Sequence, residues 1–276
     1  MNLHFKAREP IQGYQMVADP ANSPLCWQTF GTLTLFEKGD SYEGQLEKEE
    51  AILTLLFGQA EVEIHEESGL EVRYSMGPRK DPFVERTTMV YLPPRAKFQI
   101  VAISPVFRST LHKVPVKNEG HALLIQPGQV TPVSTGTGNW RRDVSLCTAM
   151  DLPIQRLVMG ETINPPGNWS SYPPHKHDEE FPPEEAVFEE VYHFLLKPEQ
   201  GFGFIRLYDP PRRKDRMDEV FVIQNGDTVV IPHGYHPVTV APGYQIFYLF
   251  SLAGEKRQYG AWRDDPNHHW VRSLAQ

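Results

Sequence analysis

Two cysteines among 276 residues, Cys26 and Cys147, leave neither a disulfide framework nor a thiolate zinc cage. A single bridge between them is the most that cysteine chemistry allows, and compartment logic weighs against it. No window approaches the roughly 20 apolar residues of a membrane span, and the start M-N-L-H-F-K-A-R-E-P lacks the apolar core of a secretory signal. A cytoplasmic protein with no membrane partner is expected. Cations are also short. Lys and Arg number 27 against 35 Asp and Glu, a formal net charge of -8 with a pI near 5.8, so the basic face that nucleic acid demands is absent. Convincing amphipathic helices of ten or more residues are missing too. One short helix is expected in P-E-E-A-V-F-E-E, residues 183–190.

What is present is β structure. The 25 prolines fall in short clusters such as Pro93-Pro94, Pro165-Pro166 and Pro173-Pro174, which reads as turn punctuation and not as a disordered tract. Short β-branched or aromatic runs occupy 32–36, 51–57, 60–64, 89–92, 98–102 and 245–250, a pattern that favours an all-β sandwich or barrel. Asn225-Gly226, inside E-V-F-V-I-Q-N-G-D-T-V-V-I-P, predicts a hairpin between two flanking strands. A weak repeat sets E-E-A-I-L-T-L-L (49–56) against E-E-V-Y-H-F-L-L (189–196), with Glu50 opposite Glu190 at an offset of 140; Pro93 and Pro232 differ by 139. Two β-sandwich copies follow, residues 1–135 and 136–276.

The second copy carries the chemistry. His175 and His177 in S-Y-P-P-H-K-H-D project to one face of an extended strand about 7 Å apart. His236 follows in I-P-H-G-Y-H-P-V. Glu190, in E-E-V-Y-H-F, adds a carboxylate, and together these residues have the composition of a three-His, one-carboxylate metal site. Glu189, on the other face of the same strand, is the rival carboxylate. The remaining acidic residues between Asp178 and Glu189 read as a solvated loop, and His193, His268 and His269 as structural or rim residues. In the first copy Lys97 or a neighbour stands where His236 would be, and no His pair precedes Glu50, so one divalent metal per chain is expected.

H-x-H, a Glu opening the next strand, and G-D-x-V-x-I-P-x-G-x-H resemble the two-part cupin motif. More closely, G-N-W-S-S-Y-P-P-H-K-H-D, E-E-V-Y-H-F, G-F-G-F-I-R-L-Y, A-P-G-Y-Q-I-F-Y-L and D-D-P-N-H-H-W-V resemble the 5-deoxy-glucuronate isomerase family of bacterial myo-inositol catabolism. The likeness is dense over residues 155–272 and thinner through G-T-L-T-L-F-E-K-G and G-T-G-N-W-R-R-D-V. It implies a bicupin, two tandem jelly rolls, that interconverts 5-deoxy-glucuronate and 5-dehydro-2-deoxy-gluconate through an enediol. Thirteen positions separate His177 from Glu190, where ordinary cupins have four to six. The extra segment leaves the choice of carboxylate open between Glu189 and Glu190, and the repeat favours Glu190.

A uronate substrate calls for a guanidinium fork, and Arg206 in G-F-G-F-I-R-L-Y is the candidate. Tyr208, Tyr235 and Tyr248 offer hydroxyls to sugar oxygens. Lys176 points away from the histidines on an ideal strand and reaches substrate only if a bulge re-aims it. Glu219 and His233 are the candidate general base and proton shuttle, with Asp218 beside Glu219. Zinc is placed first among metals, ahead of manganese, iron and nickel. An iron-dependent cupin dioxygenase and a non-catalytic sugar-acid sensor use the same ligand set and are the alternative functions. Apolar strands in the metal-free half would serve a homo-oligomer.

Overall fold

The computed structural model describes residues 1–275 and consists of two β-sandwiches in tandem. In the first half the strands run in the order Leu123–Ile125, Met89–Leu92, Glu49–His65, Phe107–Pro115, Thr29–Leu35, Gly13–Ala18. Ser41–Gln45, Lys97–Ala102 and Glu71–Arg79 close the second layer over the far end of Glu49–His65. The two runs read separately at 51–57 and 60–64 are therefore one 17-residue strand. Gly58 makes that continuity possible. At φ +92° it carries the strand from one layer to the other, and a Cβ there would lie 2.1 Å from the Val106 carbonyl oxygen.

The second half repeats the plan with a seven-stranded sheet, in the order His4–Phe5, Thr228–Ile231, Glu189–Lys197, Gln245–Ala253, Leu157–Asn164, Arg142–Leu146, Val133–Thr135. A four-stranded sheet of Trp169–Ser170, Val238–Val240, Gly203–Tyr208 and Asp218–Ile223 faces it. Val133–Thr135 pairs with Arg142–Leu146, so the chain passes from one sandwich to the other between Ile125 and Val133, slightly before the 135/136 boundary. His4–Phe5 pairs with Thr228–Ile231, lending a strand from the first half to the second.

Glu189–Lys197 is buried over eight consecutive residues because both its faces are covered. Tyr192, Phe194 and Leu196 face the interior of the second sandwich, while Leu195 joins Ile52, Leu56, Met89 and Tyr91 of the first half. The first half thus forms the floor under the strand that bears Glu190. No helix among the described residues is long and apolar enough to cross a membrane.

Three expectations are corrected. The segment 183–190 is not helical: Phe181 and Glu185 bridge each other across a tight turn, and Glu189 and Glu190 open a strand. Asn225-Gly226 does not join a hairpin. Asp218–Ile223 pairs with Gly203–Tyr208 in one sheet, and Thr228–Ile231 pairs with Glu189–Lys197 in the other, so the turn is a corner between layers. The repeat offset also changes. Ala51 pairs with Leu92 and Lys113, and Glu190 pairs with Ile231 and Leu252, a constant displacement of 139. Glu50 is therefore the counterpart of Glu189, and buried Ala51 stands where Glu190 does.

Candidate metal centre

The two-residue strand His175–Lys176 is held against Arg263–Asp264, Glu190 lies on the inner face of Glu189–Lys197, and His236 follows the turn after Ile231. Ligand atoms of His177, Glu190 and His236, all buried, lie within 4.8 Å of one another. His177 Nε2 is 3.1 Å and His236 Nε2 3.4 Å from the same Glu190 Oε2.

The backbone decides what those nitrogens offer. His177 Nδ1 lies 3.1 Å from the Phe188 carbonyl oxygen and His236 Nδ1 3.0 Å from that of Gly234. Carbonyls only accept, so each Nδ1 must carry the proton, and a neutral ring then turns its Nε2 lone pair toward the carboxylate. His236 Nε2 is buried with no hydrogen-bond partner. Lone pairs converging on an anion repel unless a cation lies between them, and carbonyl-oriented imidazoles are the usual second layer of a metal site. Burial lowers the His236 pKa to about 3, helped by the neighbouring His175, and keeps that ring neutral. Burial works the same way on His177, but the hydrogen bond and charge of Glu190 raise its pKa. The donor set fits a divalent cation.

His175 stands next to this trio and not within it. Its ring centroid is 4.8 Å from that of His236 and 6.3 Å from that of His177, and it packs on Trp262 at 5.3 Å. Its pKa is lowered to about 3 by burial first and by His177 second.

His175, His177 and Glu190 form one wall of a cavity of about 350 Å³, of a size that suits a small metabolite. Arg142, Tyr192, Tyr248, Tyr259, Trp262 and Arg272 supply much of the rest. Of the residues named from sequence, Tyr248 lines this chamber. Arg206 does not; it is half exposed and forks onto Asp218 at 2.8 and 2.9 Å. Tyr208 donates to Asp265 at 2.7 Å, and Tyr235 packs on Tyr208 beside a second, outer cavity that Lys176 also borders. Glu219 is exposed on Asp218–Ile223, and His233 is bonded to Asp209 at 2.8 Å, so neither reaches the chamber wall. Glu189 turns outward and accepts backbone N–H groups from Cys26, Trp27 and Gln28. Asp178, Asp209 and His233 also bring ligand atoms together, but Lys176 and Arg213 already neutralise the two carboxylates.

Sequence reasoning passed over Arg142. Its nitrogen Nη1 bonds only backbone carbonyls, Tyr172 at 3.0 Å and Trp140 at 3.4 Å, and no carboxylate pairs with it among the described residues. Arg272, the other chamber cation, is taken up by both oxygens of Asp264. A signal existed in G-N-W-R-R-D-V: alternation puts Arg142, Val144 and Leu146 on one face, and all three line the chamber.

The KduI/IolB family model matches residues 5–271. A 5-deoxy-glucuronate isomerase of Bacillus licheniformis is 35% identical over 270 residues, which cover 96% of each chain. Among solved structures, an IolB-like protein of Salmonella typhimurium LT2 superposes with a TM-score of 0.89 at 28% identity, covering 99% of this chain and 100% of that one. Oxalate decarboxylase of Lactobacillus farciminis superposes at 0.68 with 12% identity over 96% of this chain and 88% of its own, a likeness of fold alone that marks the tandem sandwiches as cupins. Carried by a match along nearly its whole length, this bicupin belongs to the KduI/IolB family, and its activity is that of an isomerase.

Proposed function

We propose that the protein converts 5-deoxy-glucuronate into 5-dehydro-2-deoxy-gluconate, with a divalent cation held by His177, Glu190 and His236 and with His175 closing the set from the chamber side. Two buried imidazole Nε2 atoms at 3.1 and 3.4 Å from one buried carboxylate oxygen are the observation that carries this reading, and the names of the full-length relatives supply the substrate. Zinc heads the metals that two or three imidazoles and a carboxylate accept, with manganese, iron and nickel behind it. When bound, the cation supplies Lewis-acid polarisation of the sugar carbonyl oxygen, worth several kcal/mol as negative charge develops there.

Moving the carbonyl from C1 to C2 requires a proton to leave C2 and one to arrive at C1. Arg142, the guanidinium without a carboxylate of its own, takes the uronate carboxylate and sets the sugar's direction in the chamber. Tyr192 is a proton-carrying partner for substrate oxygens: its hydroxyl is 3.0 Å from Ser171 Oγ, and burial, then the charge of Glu190, drive its pKa far up. Tyr248 packs against it with ring centroids 4.5 Å apart and a tilt of 33°, which restricts its movement.

Proton NMR with 5-deoxy-glucuronate in D₂O tests the scheme. Ketose product carrying solvent deuterium at C1 is expected, with turnover lost on chelation and restored by metal. Turnover unaffected by complete metal removal would sink the metal part, and oxygen uptake without isomer would move the protein to the dioxygenase reading. Arg142→Met is expected to raise KM roughly 30-fold, about 2 kcal/mol for a charge-assisted fork, with kcat much less changed. Arg206→Met should leave KM within about twofold, since its fork is already spent on Asp218.

A further inference from the structure

The thirteen-position separation of His177 and Glu190 gives this chain an extra loop that the chemistry above does not use. Its turn, closed by Phe181 and Glu185, delivers the Glu185 carboxylate into the protein behind the ligand-bearing strand, where Glu185 is 1% exposed. Glu185 Oε1 accepts the Nζ–H of Lys176 at 2.7 Å and the backbone N–H groups of Asp178 and Glu179 at 3.0 and 3.1 Å. Glu185 Oε2 is 3.0 Å from Arg263 Nε, on the strand that pairs with His175–Lys176. Lys176, the residue between the two histidines, is itself 1% exposed and also donates to Asp178 Oδ1 at 2.6 Å. Asp178 Oδ2 then accepts the N–H of Gly234 at 3.0 Å, and it is the Gly234 carbonyl that orients His236. One continuous chain of charge-assisted bonds therefore runs from Glu185 through Lys176 and Asp178 to both histidine-bearing segments.

We propose that Glu185 is a positioning residue for the metal centre, acting through Lys176 to hold the His175–His177 segment and the Gly234–His236 turn at the spacing a cation needs. It rests on the metal centre proposed above. A buried lysine with two carboxylates is a costly way to gain stability, because desolvation consumes most of the attraction; such networks are retained where geometry must be unique. His177 and His236 are each held by one backbone carbonyl, so the spacing of the segments that carry them is inherited from this strut.

Cobalt(II) is the probe, because its visible absorption reports ligand geometry as well as occupancy. Glu185→Gln keeps the side-chain volume and removes the charge. Chelator competition is expected to show cobalt(II) bound roughly tenfold more weakly than by the wild type, with an altered visible spectrum, and the metal-free variant is expected to melt lower while still folding, because Lys176 keeps Asp178 as a charged partner. The double variant Lys176→Met, Glu185→Met removes the buried lysine with the carboxylate it shares, leaving Asp178 to Arg213 and the Gly234 N–H, and is expected to fold yet to show the same loss of cobalt(II) affinity. Wild-type affinity and spectrum in Glu185→Gln would overturn the proposal, as would failure of both variants to fold, which would make the role purely structural. Wild-type protein that takes up no cobalt(II) would instead overturn the metal centre itself.

Discussion

Glu190→Gln is expected to lower isomerisation roughly 10⁴-fold and to leave the purified protein without stoichiometric metal. The substitution preserves volume and removes one charge, so it isolates the electrostatic contribution. Without the anion, two neutral Nε2 atoms and an amide oxygen bind a divalent cation weakly, and the chamber loses a polarising charge worth several kcal/mol, about 5 for four decades of rate. The fold should not suffer. The Glu190 carboxylate meets His177 and His236 but accepts no backbone N–H, so no buried donor is orphaned by the change. The metal-free variant should melt at or slightly above the temperature of metal-free wild type, because a buried, partly repelled anion is gone. Metal analysis, an NMR turnover assay and calorimetry decide it together. Full turnover in Glu190→Gln would end the case for this carboxylate, and loss of folding would reassign it to structure.

The nearness of His177 and His236 was legible because its information is local, while His175 lies beside their cluster with Glu190 and not in it. H-x-H fixes a shared strand face, and P-x-G-x-H turns a third imidazole back toward it, with Gly234 at φ +85° where a Cβ would press on the Tyr208 carbonyl oxygen at 2.7 Å. The fold was legible for the same reason, since the short alternating runs at 32–36, 89–92, 98–102 and 245–250 are strands in the molecule. What failed depended on partners far away in sequence. Asn225-Gly226 is a sound turn, but whether its flanking strands pair is decided by Glu189–Lys197 and Gly203–Tyr208, which take one strand each. The helix expected over 183–190 lost to tertiary demands on Glu185 and Glu189, whose carboxylates are committed to Lys176 and to the 26–28 backbone. Arg206 and Arg142 look alike in sequence; only the sheet pairings show that one meets Asp218 and the other lines the chamber.

The repeat offset shows how a slip of one residue changes the argument for a carboxylate. At 140 the repeat favours Glu190 by pairing it with Glu50, yet the ladders run at 139 and pair Glu50 with Glu189. One residue of slip exchanges the two faces of a strand. Glu190 is the inward carboxylate because its face looks into the chamber, and its true counterpart is Ala51, packed in an apolar core. At the same offset Lys97 stands opposite His236. The first sandwich has kept the frame and filled the site with hydrocarbon, which releases it to serve as the support against which the second is held.

That support has its own paired device, and removing either half of it is expected to be strongly destabilising. Glu50 accepts the N–H groups of Gln155, Arg156 and Leu157 at 2.9, 2.8 and 3.0 Å, at the entry to Leu157–Asn164 in the second half. Glu189 accepts those of Cys26, Trp27 and Gln28 at 2.6, 2.9 and 2.6 Å, just before Thr29–Leu35 in the first. Each sandwich thus reaches across and fixes the chain entering the other, and Arg156 lies over the Trp27 ring at 4.8 Å where the two segments meet. Burial raises the Glu189 pKa, and the three N–H donors oppose it. Either carboxylate replaced by Ala leaves three backbone donors without their acceptor, one of them fully buried in each case, so Glu50→Ala and Glu189→Ala should each cost about 3 kcal/mol of unfolding free energy. Urea titration followed by circular dichroism measures this, and the transition should broaden or split as the two sandwiches lose their coupling. A loss below about 1 kcal/mol in both variants would show that the apolar seam around Ile52, Leu195 and Phe247 joins the halves unaided. Glu189→Gln supplies the contrast with its neighbour: it should weaken the fold while the metal-free variant, once folded, still takes up metal, the reverse of what Glu190→Gln does one residue along the same strand.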